Sequence, residues 1–396
     1  MTIYGEKNCA ITGIGQSEIY RKPTVQPLEL GLRACERAVA DAGLTMADID
    51  GVACWPATPP GTAYGFASAA IADVCQSLGI KPNWWSEANM GAQISSIMEA
   101  CAAIAAGYAN HVLCYRSVGQ RWIPRIPGGA AAAGNHPAPV GPYEYMIPYQ
   151  APSAAIWCAI HANTHMTRYG ITREQMGWIP VVQRRNASLN PNAIYREPFT
   201  IEEYLEARMI STPFSLLDCD IPCDGTTAVI VSRADAARDL PNKPVRIEAF
   251  GAGGQVRMET WIARPDYPHM ALNDATKQMW NRTDLTPADV DTMHLYDGFT
   301  WLTMAWMEAF GFCGEGESGA FIEGGQRISL DGELPLNPNG GQLSEGRMHG
   351  LGFVHEAVTQ LRGQGGPRQV KKDVKVSAVG SGGGPLGGAM LLRVDD

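Results

Sequence analysis

One order of elements occurs twice along the chain, and it restricts the fold more than any other feature. Near the N terminus, Ala10-Ile11-Thr12-Gly13-Ile14-Gly15 reads as a strand ending in glycines, and an apolar helical pattern follows from Leu28 to Ala42. Leu44-Thr45-Met46-Ala47-Asp48-Ile49-Asp50 then leads into the strand-like Gly51-Val52-Ala53-Cys54-Trp55. Beyond residue 240 the grammar returns: Val245 to Gly253 as a strand, Ala271 to Trp280 as a helix, Leu285-Thr286-Pro287-Ala288-Asp289-Val290-Asp291, and a strand from Thr292 to Tyr296. In both heptapeptides a threonine precedes acids, which predicts a helix N-cap with acidic residues in its first turn. Two βαβ-type halves are therefore expected. Fully apolar strands such as Ala228–Val231 and Ala389–Leu392 read as buried on both faces, which points to a layered α/β fold. The halves span 1–235 and 244–396, separated by the polar stretch Asp235 to Lys243, which contains Pro241. Residues from about 115 to 220 depart from the repeat and are rich in Pro, Tyr, Trp and Gly. They read as an inserted loop domain with one clear helix, Ala154 to Tyr169, and a wall of a site. Its small apolar run Gly128–Gly134 fits a mobile loop and a packed turn equally well.

Composition narrows the function classes. Only 18% of the 396 residues are charged while 45% are hydrophobic; soluble chains average about 25% charged, so part of the surface is expected to be covered by another subunit. The net charge of −9 offers no basic field for phosphates, which argues against nucleic acid and anionic membranes as ligands. The 10 cysteines lie mostly inside apolar runs, as reduced thiols of a cytoplasmic protein would. Cys219 and Cys223 lack a second pair or a nearby histidine, so no metal site is expected. No signal-peptide pattern opens the chain, and no apolar stretch is long enough to span a bilayer.

Chemistry concentrates toward the C terminus. Leu336-Asn337-Pro338-Asn339-Gly340-Gly341-Gln342-Leu343-Ser344-Glu345-Gly346 is a glycine-rich loop opening the helical pattern Leu351–Leu361, and its backbone N–H groups can hold an oxyanion. This loop resembles the thiolase superfamily, as do Gly380-Ser381-Gly382-Gly383-Gly384 before the last strand and Pro222-Cys223-Asp224-Gly225-Thr226-Thr227-Ala228. His165-Met166-Thr167-Arg168-Tyr169-Gly170 with Glu202-Glu203-Tyr204 is similar to the sterol-carrier-protein type of thiolase. The resemblance spans nearly the whole chain. It implies a thiolase-like fold of two pseudo-repeated halves in α/β/α/β/α layers.

The same resemblance shows what is missing. Where a thiolase carries its nucleophilic cysteine, this chain has Met90, whose thioether cannot form an acyl-enzyme. Tyr296, in Leu295-Tyr296-Asp297-Gly298-Phe299, stands in place of the family's histidine or asparagine. Arg347 replaces the histidine of Gly-His-Pro-Leu-Gly, with His349 two residues on, and the second cysteine falls at Gly380. Cys101 reads as core. What remains suits enolate chemistry without a covalent intermediate. The resemblance narrows to bacterial steroid side-chain-cleaving aldolases, which have lost the cysteine and carry a Tyr-Asp-Gly-Phe turn. It implies retro-aldol cleavage of the β-hydroxyacyl-CoA side chain of a 17-hydroxy steroid, giving a 17-ketosteroid and propionyl-CoA. It also implies a homodimeric core, a small OB-fold and zinc-ribbon partner chain completing a heterotetramer, and no cofactor beyond the coenzyme A of the substrate. In that family a second tyrosine lies near the C-terminal histidine motif, where this chain has Arg347 and His349.

The residues expected at the site are thus Tyr296, Asp297, Arg347 and His349, with Gly346, Gly383 and Gly384 as backbone donors. Each has a plainer reading beside it. Tyr296 is also a natural strand-end tyrosine, Asp297 a cap for a helix from Phe299 to Phe310, and Arg347 a surface partner of Glu345 or Glu356. Trp84, Trp85, Tyr143, Tyr145 and Tyr149 are the aromatic residues expected to grip a flat apolar ligand, whereas Trp301, Met304, Trp306, Met307 and Phe310 read as core. Two other functions use the same residues: a thiolase-like acyltransferase or acylsuccinyl-CoA-cleaving enzyme with another nucleophile, and a non-catalytic subunit that supports a partner enzyme.

Overall fold

In a computed structural model, residues 4–22, 24–56, 68–87, 93–120, 143–151, 153–254 and 269–395 are described. The first half contributes strands β1 (Cys9–Gln16), β2 (Gly51–Cys54), β3 (Trp84–Glu87) and β4 (His111–Gly119), with helices α1 (Pro27–Asp41), α2 (Ile71–Leu78) and α3 (Ser95–Ala105). Next come α4 (Tyr143–Met146), α5 (Ala154–Tyr169), α6 (Arg173–Ser188), α7 (Ile201–Glu206), the short hairpin β5 (Met209–Ser211) and β6 (Phe214–Ser215), and β7 (Asp224–Arg233). The second half holds β8 (Val245–Gly254), α8 (Ala271–Trp280), β9 (Thr292–Leu295), α9 (Thr300–Phe310), α10 (Ser318–Ile322), α11 (Gly350–Leu361), β10 (Val376–Gly383) and β11 (Leu386–Arg393).

The repeat is real in three dimensions. One nine-stranded sheet runs β3-β2-β4-β7-β1-β8-β11-β10-β9. Read from its two ends, β2-β4-β7-β1 and β9-β10-β11-β8 have the same order. The pairings match as well: β2–β4 and β9–β10 are parallel, and β4–β7, β10–β11, β1–β7 and β8–β11 are antiparallel. The half-sheets join through Ala10–Arg246 and Ile11–Val245. In both halves the Gly-x-Gly of the first strand admits the following helix. A Cβ at Gly13 or Gly15 would lie 2.2 or 2.3 Å from the Ala38 or Ala34 carbonyl of α1, and one at Gly251 or Gly253 would lie 2.1 or 1.8 Å from those of Ala275 or Ala271 in α8.

Three apolar layers fill the fold. Ala34, Cys35, Ala38 and Val39 of α1 pack with α2 on one outer face, while α8 and α9 pack on the other through Ala275, Met279, Trp301, Met304, Trp306, Met307 and Phe310. Between them, Ile97, Ala100 and Ile104 of α3 share a core with Leu351, Phe353, Val354 and Val358 of α11 and with strands of both halves. Each large apolar side chain buried there contributes roughly 1.5–3 kcal/mol. This is the expected α/β/α/β/α layering, with the aromatic and methionine group of α9 in the core.

Some expectations change. The heptapeptides form 3₁₀ turns, Met46–Asp48 and Pro287–Asp289, rather than α-helix starts. Asp48 and Asp289 accept from the backbone N–H groups of Thr45 and Thr286 at 2.8 and 2.7 Å, and strands begin a few residues later, leaving no room for a longer helix. In the inserted region a second long helix, α6, accompanies α5. Pro180 in its interior masks the pattern, but the Thr172 capping box, with Gln175 N–H donating to Thr172 Oγ1 at 3.1 Å, starts it firmly. From α6, Arg184 Nε donates to Ser344 Oγ at 2.8 Å and Asn186 Nδ2 to the Leu336 carbonyl at 3.1 Å. The insertion thereby holds the glycine-rich loop in place. Trp84 and Trp85 lie on the edge strand β3, where Trp85 is 64% exposed, and Tyr149 is 84% exposed. Met90 and the run 128–134 fall outside the described residues, as do the side chains of Tyr143 and Tyr145.

Candidate active site

The site forms where the turn after β9, the N terminus of α11 and the segment leading into α3 converge. Tyr296 leaves β9 with its backbone N–H donated to the Gly380 carbonyl at 2.9 Å, which ties it to β10. Its ring lies over Gly298, where a Cβ would come within 2.6 Å of Tyr296 Cε1, and meets Phe353 of α11 edge-on at 6.2 Å. Gln93 accepts from Ser381 Oγ at 3.1 Å through Oε1, and its side chain favours the ionised form of the Tyr296 phenol. Gly350, the first residue of α11, makes this approach possible, since a Cβ there would sit 2.4 Å from Ser381 Oγ and 3.0 Å from Gln93 Cβ. Burial, then the Asp220 carboxylate, raise the phenol above its ordinary range against the opposing pull of Gln93 and Arg347. Tyr296 is therefore a protonated phenol at neutral pH, partly open to the surface.

Asp297 does not cap α9, whose N-cap is Phe299. It turns into the glycine-rich loop, where Oδ1 accepts from Gln342 N–H at 3.0 Å and Oδ2 from Leu343 N–H at 3.4 Å. Burial pushes its carboxyl up to about 7, against the pull of those amides. Gly341, at φ +60°, has no room for a side chain: a Cβ would lie 2.0 Å from Asp297 Oδ2. Glu345 is buried too, receiving Asn190 Nδ2 at 2.9 Å and Asn339 Nδ2 at 2.6 Å, with burial and then Glu356 pushing it up to about 8.

His349 is the N-cap of α11, at φ +61°, and its own N–H donates to Gln342 Oε1 at 3.1 Å. Its Nδ1 faces Arg116 Nη2 at 2.8 Å. A guanidinium only donates, so Nδ1 accepts and the imidazole proton resides on Nε2. Burial first, then Arg116 and Arg347, hold the imidazole well below its ordinary value. His349 is thus a neutral imidazole whose Nε2–H can donate. Arg116, buried on β4, stacks over Trp55 at 5.0 Å; burial lowers it to about 9, still charged at neutrality. Arg347 pairs with Asp220, rather than with Glu345 or Glu356. Glu356 binds Arg368 at 2.9 Å instead.

The backbone positions divide. Gly346, at φ +140°, packs against Cys223, Ile19 and Ile194. Gly383 and Gly384 shape the β10–β11 hairpin, and the Gly384 carbonyl receives Ala271 N–H at 3.0 Å. Among the described residues no hydrogen bond joins them to Tyr296. At Gly380 a Cβ would lie 2.8 Å from the Trp306 ring, so the position that holds a thiolase cysteine is filled by tryptophan. Gln93, Arg116 and Asp220 were not singled out as site residues from sequence, whereas Ser381 belongs to the glycine loop read there as an oxyanion wall. The available signals were a charge inside a strand that reads as buried, for Arg116, and proximity to matched motifs, for the other two. Among the described residues, no group of three or more His, Cys, Asp or Glu is placed to hold a metal ion, and no helix is long and apolar enough to cross a membrane.

Two like half-sheets around a central pair of helices, with a glycine-loop site at the start of one of them, define a thiolase-like protein whose cysteine chemistry is absent at Gly380. A family model described as "Thiolase C-terminal domain-like" matches residues 253–392. The chain is 34% identical over 363 residues to a steroid side-chain-cleaving aldolase of Thermomonospora curvata, covering 89% of this chain and 90% of that protein. It is 34% identical to the 17-hydroxy-3-oxo-4-pregnene-20-carboxyl-CoA lyase of Mycobacterium tuberculosis, covering 89% and 91%. Among solved structures, an "Ltp2-ChsH2(DUF35) aldolase" superposes with a TM-score of 0.87 at 31% identity over 100% of this chain and 99% of that one. Human mitochondrial 3-ketoacyl-CoA thiolase shares the fold at a TM-score of 0.69 and 14% identity, with 100% of each chain covered. The chain belongs to the thiolase-like family, in the branch that contains these aldolases.

Proposed function

We propose that the protein is a carbon–carbon lyase that cleaves the side chain of a 17-hydroxy steroid acyl-CoA by retro-aldol chemistry. The observation that carries this reading is a protonated phenol, Tyr296, with Gln93 and Arg347 acting on it, in a chain that has a neutral imidazole, His349, at the start of α11 and a tryptophan ring against the position of the thiolase cysteine. In the reaction the hydroxyl O–H pair becomes the carbonyl of the 17-ketosteroid. The bond between carbons 17 and 20 breaks, and its electron pair moves through carbon 20 onto the thioester oxygen as an enolate. His349 Nε2–H stabilises that oxygen, as a preorganised donor in a buried site does. Tyr296 delivers its proton to carbon 20, and the released fragment is propionyl-CoA. Asp297 fixes the glycine loop, and Arg347 contributes positive charge beside Tyr296.

No cofactor beyond the substrate's coenzyme A is needed for these steps. The solved relative is a complex whose name includes a DUF35 component, which supports a small partner chain here; we assign it an OB-fold and zinc ribbon, on a homodimeric core forming a heterotetramer. Ten cysteines without a disulfide among the described residues fit a cytoplasmic location. The test is mass-spectrometric product detection from the chain co-expressed with its small partner, supplied with a 17-hydroxy steroid side-chain CoA thioester. A 17-ketone and propionyl-CoA, lost in Tyr296→Phe, are expected. A well-folded complex that yields neither would overturn the substrate, and an acylated peptide would return the chain to acyl transfer.

A further inference from the structure

The cleavage needs a group to take the hydroxyl proton, and most of the polar groups around Tyr296 are unsuited to it. Tyr296 itself is held protonated. His349 has its Nδ1 occupied by the Arg116 guanidinium, leaving only a donor on Nε2. Arg116 and Arg347 carry no acceptor. Asp297 spends both oxygens on the amides of Gln342 and Leu343 and is sealed behind Gly341.

Asp220 is different. Its backbone N–H donates to the Gly298 carbonyl at 3.1 Å, two residues past Tyr296. The next residue, Ile221, donates to the Gln342 carbonyl at 3.1 Å and accepts from Arg347 N–H at 2.9 Å. The Asp220 backbone is thus pinned between the tyrosine turn and the glycine-rich loop. Its side chain, 6% exposed, gives Oδ1 to Arg347 Nη2. Asp220 also lines a cleft of 340 Å³ that has Leu216, Leu217, Ile221, Pro222 and Leu343 in its walls together with Arg21 and Arg184. A largely apolar cleft with an acid in its wall suits a flat hydrocarbon ring system that presents a hydroxyl.

We infer that Asp220 is the general base that removes the steroid hydroxyl proton, with the adjoining apolar cleft receiving the ring system. This rests on the retro-aldolase reading. The carboxylate accepts the hydroxyl proton as the carbonyl forms, the bond to carbon 20 breaks, and Tyr296 protonates that carbon. The proton on Asp220 then returns to the tyrosinate through solvent, so no external oxidant or reductant enters. Burial, opposed by Arg347, raises the carboxyl above its ordinary range, which moves it toward the strength of an effective base. The charged and titratable groups around it are Arg347 from the loop, Tyr296 and Asp297 from the β9 turn, the thiols of Cys158, Cys219 and Cys223, and, across the cleft, Arg21, Arg184 and Tyr195.

Asp220→Asn, nearly isosteric, is measured in the full complex for cleavage of the 17-hydroxy steroid thioester and, separately, for solvent deuterium exchange into the α-carbon of propionyl-CoA. Exchange runs through the small tyrosinate fraction of Tyr296, with solvent taking the phenol proton, and through the oxyanion donors, and it needs no base for a steroid hydroxyl. The expected result is a fall in kcat of about 10²–10⁴-fold, the span of general-base catalysis, with exchange retained within about tenfold in a complex that still folds, its melting temperature lowered because Arg347 loses its buried partner. Asp220→Glu, which keeps a carboxylate, is expected to recover part of the rate and the acid limb of the kcat/KM profile that the asparagine variant loses. Cleavage by Asp220→Asn within tenfold of wild type would overturn the assignment. So would parallel loss of cleavage and exchange in both variants, which would mark a structural role. A wild-type complex that neither cleaves the steroid nor exchanges propionyl-CoA would instead sink the underlying reading.

Discussion

Replacing Arg116 by methionine tests whether a guanidinium sets the chemistry of a histidine. Arg116 Nη2 meets His349 Nδ1 at 2.8 Å, and Nη1 meets the Ser117 carbonyl at 2.8 Å. A hydrogen bond from a charged donor is worth about 1.5–3 kcal/mol. If that energy is what keeps the imidazole as an aligned Nε2 donor, its loss lowers kcat about ten- to a hundredfold, at 1.4 kcal/mol per factor of ten. Melting temperature should hold or rise, because methionine nearly matches the apolar volume and removes a buried charge. The pH profile supplies the decisive reading. Burial, Arg116 and Arg347 together depress the imidazole in the wild type, so it stays neutral across the assay range. Without Arg116 it moves back toward the ordinary value of about 6.5, and kcat gains an inflection on the acid side. Steady-state release of propionyl-CoA across pH measures both effects. A folded Arg116→Met enzyme with wild-type kcat and an unchanged profile would refute the tautomer argument.

Other outcomes follow from the same geometry. Restoring the family's cysteine as Gly380→Cys is expected to lower the melting temperature, since its Cβ would meet the Trp306 ring at 2.8 Å and Phe310 at 3.1 Å; overpacking of this kind costs about 1–3 kcal/mol. No acyl-enzyme should appear by mass spectrometry, because Met90 leaves no nucleophile in the paired position. The buried carboxyls predict a pH dependence of stability. Asp297, raised to about 7, and Glu345, raised to about 8, hold their protons more tightly folded than unfolded. Their contribution is fully present below the ordinary carboxyl range and falls as pH rises toward 8, by at most about 1.4 kcal/mol per pH unit for each proton. Calorimetry between pH 5 and 8.5 should show Glu345→Gln with a shallower decline than wild type; an equal slope would mean that this carboxyl does not titrate as placed.

Much of the fold was legible along the chain. Strands β1, β2, β7, β8, β9 and β11 and helices α1, α5, α8 and α11 come from apolar periodicity, whereas β3, β4, β10 and the short hairpin do not, and α5 and α8 have the same bounds in the sequence reading and in the structure. Helix α6 was obscured because Pro180 interrupts the pattern that sequence reading depends on, while the tertiary neighbours of Val181 and Val182 bury them regardless. Trp84 and Trp85 look like ligand grips in sequence, but pairing with β2 puts them on a sheet edge.

The site divides the same way. Sequence by itself determined the two-half, layered α/β plan, because periodicity and Gly-x-Gly strands act locally, and its resemblance to thiolases implied the central layers and the loss of cysteine chemistry. The direction of each functional group was decided only by packing. Asp297 turned into the loop, Arg347 found Asp220, and His349 became a donor because Arg116, 233 positions away in sequence, fills its other nitrogen. Protonation states depend on burial and on neighbouring charge, and both are set by elements that meet only when the two halves close around α3 and α11.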